Sequence, residues 1–124
     1  MKTINIKGKE YVPVVERVKE LHASTKNASI TTEIVRQDDT RISVKAIITI
    51  HREEGDLTFT GHSQAVYGQG MMGDVALEIA ETSAVGRALG FAGIGLVDGI
   101  ASADEMRKVK KPKGEELLDD SEIY

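Results

Sequence analysis

Four cations in this chain have the residue type and setting to engage an anion. Arg87 lies inside Glu81-Thr-Ser-Ala-Val-Gly-Arg-Ala-Leu-Gly-Phe91, and Arg41, Lys45 and Arg52 recur along one strand-like run. A guanidinium presents a planar fork that matches a carboxylate or a phosphate. Arg87 is the most unusual of the four, because eight of the thirteen residues from Ser83 to Gly95 are Ser, Ala or Gly. Glycine weakens a helix interior by roughly 1 kcal/mol against alanine, so Gly86 and Gly90 imply close approach of another backbone or of a ligand. On a helical wheel Asp74, Glu78 and Glu81 cluster on one side, with Arg87 nearly opposite among Ala76, Ala80, Ser83 and Phe91. A charge drawn out of water needs a partner. Three fit: an internal carboxylate, a carboxylate of a neighbouring subunit, or a phosphate.

Other chemistries find less support. No Ser/His/Asp order or Walker lysine is present, and His22, His51 and His62 lack ligand spacing. There is no cysteine, which excludes disulfides and thiolate metal sites. The residues therefore predict a binding protein rather than an enzyme, with no metal and no cofactor. Gly68-Gln-Gly70-Met-Met-Gly73 matches the letters of GxGxxG. The dinucleotide fingerprint also needs a βαβ unit and an acid about 20 positions on. Asp98 lies 30 residues after Gly68, so a flexible connector is the better expectation.

The elements that must position these residues read as an α+β fold. Thr3–Lys7 and Glu10–Val12 pair as an N-terminal hairpin, and Pro13 suits the first turn of a short helix carrying Val14, Val18 and Leu21. Three strands, 29–36, 41–52 and 57–67, form an antiparallel β-meander across polar turns. In the middle strand Ile42, Val44, Ala46, Ile48 and Ile50 share one face, opposite Arg41, Ser43, Lys45 and Thr49. In the third strand Leu57, Phe59, Gly61, Ser63 and Ala65 share a face, opposite Thr58, Thr60, His62 and Gln64. The apolar face is small near Gly61 and suits a glycine-rich helix packed on it. The polar, mildly basic face is either a solvated outer surface or a nucleic-acid surface. One long helix, about 74–92 with Asp74 as N-cap, covers the meander. Val85 and Leu89 lie on its acidic side, which implies self-association or cover from the N-terminal helix. Ser102-Ala-Asp-Glu105 is a capping box opening a short helix.

The length of 124 residues fits one domain, 1–109, followed by a polar tail, 110–124, expected to be disordered. Five acids, Glu115, Glu116, Asp119, Asp120 and Glu122, lie in the last ten residues, and without them the body holds 16 basic and 15 acidic residues. That balance argues against a histone-type binder but permits a local basic groove. No apolar run approaches the roughly 20 residues that span a bilayer and no signal-peptide pattern opens the chain. No membrane partner and a cytoplasmic location are expected.

Lys7-Gly-Lys-Glu-Tyr-Val-Pro-Val14, Ile30-Thr-Thr-Glu-Ile34, Gly61-His62, Glu81–Gly90 and Ile100-Ala-Ser-Ala-Asp-Glu105 resemble a group of small bacteriophage single-stranded DNA-binding or annealing proteins. The meander followed by a long helix with an Arg-Ala-Leu motif is similar to the Rad-fifty-two-like annealing superfamily, with Erf, RecT and Redβ as distant functional company. The resemblance implies sequence-independent binding of single-stranded DNA and annealing of complementary strands in phage recombination or replication, in the host bacterial cytoplasm. It also implies a homo-oligomer, ring or filament. Carried over by motif, Arg87 is the first DNA-binding residue. Lys45, Arg41 and Arg52, with His62 and Gln64 beside them and Tyr67 for base stacking, follow from local chemistry. The acidic tail resembles those that recruit a replication or recombination protein. A non-enzymatic scaffold acting through its helix and tail is the alternative.

Overall fold

The structure is a computed structural model that describes residues 1–67 and 75–108. The expected N-cap Asp74, the glycine connector and the tail therefore lie outside the described residues. The expected α+β architecture is present, with β1 (Ile4–Ile6), β2 (Lys9–Tyr11), α1 (Val14–Ser24), β3 (Ala28–Gln37), β4 (Arg41–Ile50), β5 (Leu57–Val66), α2 (Ala76–Phe91) and α3 (Ala103–Lys108) in chain order.

β1 and β2 pair antiparallel, with Ile6 opposite Lys9. The two residues between them, Lys7 and Gly8, both take positive φ (53° and 85°), the backbone a tight two-residue hairpin demands. β3, β4 and β5 form a separate antiparallel sheet in the order β3-β4-β5. Alternation along β4 works as the sequence implies: Ile42, Val44, Ala46 and Ile48 are buried, and the residues between them are not.

α2 lies across β4 and β5 and barely reaches β3. Gly61 makes this packing possible. A Cβ there would stand 2.4 Å from the Ala88 nitrogen and 2.6 Å from the Ala84 carbonyl oxygen, so helix and strand backbones nearly touch. Val85 and Leu89 are buried in one core with Val14 and Leu21 of α1. Cover by the chain's own N-terminal helix therefore accounts for both. α2 ends in a Schellman arrangement. The Gly93 N–H (φ 86°) donates to the Gly90 carbonyl and the Ile94 N–H to that of Leu89.

The chain then returns across α1. The Glu10 N–H donates to Asp98 Oδ2 at 2.7 Å, and the Val14 N–H to Asp104 Oδ1 at 2.7 Å. Pro13 supplies no side-chain cap to α1, so Asp104 accepts from a helix N-terminal donor that would otherwise be orphaned. The expected capping box forms, with the Glu105 N–H donating to Ser102 Oγ at 3.2 Å and the Ser102 N–H to Glu105 Oε1 at 3.4 Å.

Candidate functional site

The outer face of the sheet gathers two of the four cations singled out above, Arg41 and Lys45. The register sets Glu33, Lys45 and His62 in one row across the three strands, and Arg36, Ser43 and Gln64 in the next. Arg41 opens β4 on the same face, two residues before Ser43. Hydroxyls fill the remaining rows: Ser29, Thr49 and Thr58, then Thr31 and Thr60 around Ile47. Ser43 Oγ donates to Gln64 Oε1 at 3.3 Å. Among the described residues neither Lys45 nor Arg41 makes an ion pair, although Glu33 stands opposite Lys45. The face and the turn beside it thus carry three cations and a histidine against two carboxylates, Glu33 and the Asp38 that pairs with Arg36, within a field of hydroxyls.

Arg36 was not a sequence candidate. Uninterrupted alternation would turn it inward, because Ile34 sits opposite the buried Val44. A register shift between Ile34 and Arg36 inserts an extra residue, Val35, and places Arg36 opposite the outward Ser43. Re-aiming a side chain is a common consequence of a β-bulge. Arg36 Nη2 also donates to Asp38 Oδ2 at 3.3 Å. Asp38 caps the β3–β4 turn, its Oδ1 accepting from the Thr40 and Arg41 N–H groups at 2.8 and 3.0 Å. These bonds, that from Thr40 first, hold its carboxyl below the usual carboxylate range.

Three other candidates stand elsewhere. Arg52 is engaged in its own turn, donating from Nε to the Gly55 carbonyl at 3.2 Å and facing Glu54 at 3.9 Å. Tyr67 packs against the core, and its hydroxyl accepts from Gln37 Nε2 at 3.0 Å. Arg87 lies on the helix side, its Nη1 3.5 Å from Glu105 Oε2 and its guanidinium 5.5 Å from the Phe91 ring centre. Of the three partners left open for Arg87, the internal carboxylate is the one the structure contains. Its side chain keeps 29% exposure, whereas that of Glu105 keeps 1%, so the pair brings charge to a buried acid.

A buried charge that the sequence reading missed is Arg17, which like Glu105 is 0% exposed. Its Nη1 donates to the carbonyls of Gly86 (2.7 Å) and Ile100 (2.9 Å), and its Nη2 to those of Gly95 (3.1 Å) and Ala101 (3.3 Å). Burial pulls its pKa down, while Glu105 and then Asp104 oppose that pull. Gly90 leaves room for the guanidinium, since a Cβ there would stand 2.9 Å from Nη1. The small residues of α2 therefore receive β5 on one side and Arg17 on the other.

A cleft of 320 Å³ between α2 and α3, lined by Glu78, Ile79, Thr82, Ser83, Asp104 and Arg107, lies on the helix side and includes none of the sheet cations. Among the described residues no group of three or more His, Cys, Asp or Glu is placed to hold a metal ion, and no helix is long and apolar enough to cross a membrane.

A family model described as Slr1353 N-terminal dsRNA-binding domain-like matches residues 18–92. The match runs from within α1 through the whole meander to the end of α2. It overturns the resemblance to phage annealing proteins of the Rad-fifty-two-like superfamily. Two of the strings behind that resemblance, 7–14 and 100–105, fall outside the matched span. The most specific one, Glu81–Gly90, is accounted for by packing, because its small residues admit Gly61 and Arg17. No curated protein and no solved structure matches the chain.

Proposed function

The chain belongs to the Slr1353 N-terminal dsRNA-binding domain-like family, and from that premise we propose that it is a non-enzymatic module that binds double-stranded RNA through the outer face of its three-stranded sheet. One observation carries the reading: Lys45, Arg41 and Arg36 share that face with His62, Gln64 and a field of Ser and Thr hydroxyls. Cations and hydroxyls of this kind contact phosphate and sugar oxygens, which fixes position without reading sequence. Such binding needs no catalysis and no cofactor. The module works in the cytoplasm on this reading.

Among the described residues this face carries no Phe, Tyr or Trp platform, which favours a duplex over a single strand. Phe59 points to the core and Tyr67 is bonded to Gln37. Single-strand binders gain roughly 1–3 kcal/mol per base from aromatic stacking, and among the described residues this face offers only the His62 imidazole for it. Duplex RNA is recognised mainly by shape and by contacts to phosphate and 2′-hydroxyl groups.

The test is a titration of labelled RNA duplex, DNA duplex and single-stranded DNA at several salt concentrations, followed by addition of the complementary strand. Tightest binding to RNA duplex, weakened by salt, is expected. Preference for single-stranded DNA with faster pairing would instead support the annealing reading. No binding at low salt would leave the scaffold reading.

A further inference from the structure

Among the described residues the outer side of β3 has no strand partner. It is ten residues long and contains no Lys, Pro or Gly, whereas exposed edges are commonly guarded by lysine or proline. Because α2 sits over β4 and β5, the inner face is open beside the C-terminal half of β3, whereas Ala28 and Ile30 pack on the core. Ile34 and Val35 are 49% and 48% exposed, and Val75 and Leu77 are exposed at the start of α2.

The bulge decides what fits this edge. A bulge ordinarily disrupts an edge, but here it makes the strand self-complementary. Glu33 stands opposite Lys45 and Arg36 opposite Ser43, so both face outward although three residues apart. Antiparallel pairing of two copies about the midpoint of Ile34 and Val35 brings Glu33 of each against Arg36 of the other. Between the two ion pairs, Ile34 meets Val35. β5, the other edge, contains no Asp, Glu, Lys or Arg, so pairing with it would leave Glu33 uncompensated and Arg36 with its own Asp38 alone.

We propose that β3 is a self-recognition edge through which two copies of this chain form a two-fold dimer with a continuous six-stranded sheet. The contact is isologous and closes at two subunits. Both outer faces then lie on one side, which sets Lys45 and Arg41 of the two copies on one surface. Glu33, drawn to Arg36 of the partner subunit, no longer opposes Lys45. The dimer stands on the edge geometry and does not depend on what the outer face binds.

Sedimentation equilibrium of the full chain, without nucleic acid, tests this. The unmodified chain is expected to dimerise. Glu33→Arg and Arg36→Glu each convert two attractive cross-strand contacts into repulsive ones, so each is expected to weaken dimerisation about tenfold or more. Combining them exchanges the charges and is expected to restore the dimer. Both side chains are exposed, so far-ultraviolet circular dichroism should be unchanged in all three variants. A chain that stays monomeric at every soluble concentration, one that grows beyond a dimer, or a combined variant no better than the single ones would overturn the proposal.

Discussion

The Arg17 guanidinium donates to the Gly86 carbonyl at 2.7 Å across 69 residues of sequence. That bond joins α1 to α2, and three further carbonyls around the same guanidinium join both helices to the returning segment at 95–101. The helical layer that backs the sheet is thus closed by one buried cation. Arg17→Met should leave these carbonyls short of donors, at about 1–3 kcal/mol for each buried group left unsatisfied. Urea unfolding is expected to show a loss of about 3 kcal/mol or more, with Arg17→Lys losing less because it keeps the charge but not the fork. Unchanged stability in Arg17→Met would show that the cage contributes nothing.

Gly61 supplies a steric test of the same layer. An added methyl would collide with backbone atoms of Ala84 and Ala88 rather than with a movable side-chain tip. Overpacking of this kind typically costs about 1–3 kcal/mol, and Gly61→Ala is expected to reach at least the upper end in thermal unfolding. Gly99→Ala is the control, since nothing lies within 4 Å of a Cβ at that position. It should change stability by less than about 0.5 kcal/mol.

Arg87 is expected to act on stability and not on affinity. Removing it leaves the Glu105 carboxylate, with a side chain 1% exposed, without that ion pair. Arg87→Ala should therefore cost about 1–3 kcal/mol. Combined with Glu105→Gln the loss should be smaller than the sum of the single losses, because the two side chains interact directly. Additive losses, or normal stability with lost RNA binding, would return Arg87 to the binding surface.

The acid limb of stability follows from two lowered carboxyls. Thr3 and then Asn5 donate to the Glu10 carboxylate and lower its pKa from 4.5, and the Thr40 and Arg41 N–H groups lower that of Asp38 from 3.8. A carboxyl whose folded pKa lies below its unfolded value contributes stability above the unfolded value and loses it as pH falls through the folded one. Stability at these two sites should therefore be intact at neutral pH and decline below about pH 4. Asp38→Asn is expected to flatten that decline while lowering stability at neutral pH. Carboxyl titration followed by NMR gives the direct check, with both midpoints below the ordinary values.

The meander was legible because alternation is a local signal: each of Ile42, Val44, Ala46 and Ile48 declares its face two residues from the next. The capping box and the hairpin turn were legible for the same reason. Arg17 was not, although it falls on the stripe of Val14, Val18 and Leu21, three residues after the first and four before the last. A cation on an apolar stripe is a signal of burial, but its acceptors lie 69 to 84 residues away and no local pattern announces them. Arg36 was lost to a bulge, which shifts the period by one residue and turns an inward position outward. Arg87 shows a different limit. Its place among small residues was read correctly, yet the wheel could not show Glu105, which a separate element brings to it.

If the sheet cations, and not the helix arginine, hold nucleic acid, the salt dependence of RNA-duplex binding separates Lys45→Ala and Arg41→Ala from Arg87→Ala. Each phosphate contact removed should lower the magnitude of the slope of log affinity against log salt by about 1. That change is expected for Lys45→Ala and for Arg41→Ala, with an unaltered slope for Arg87→Ala. A slope reduced only in Arg87→Ala, with the two sheet variants binding normally, would contradict it.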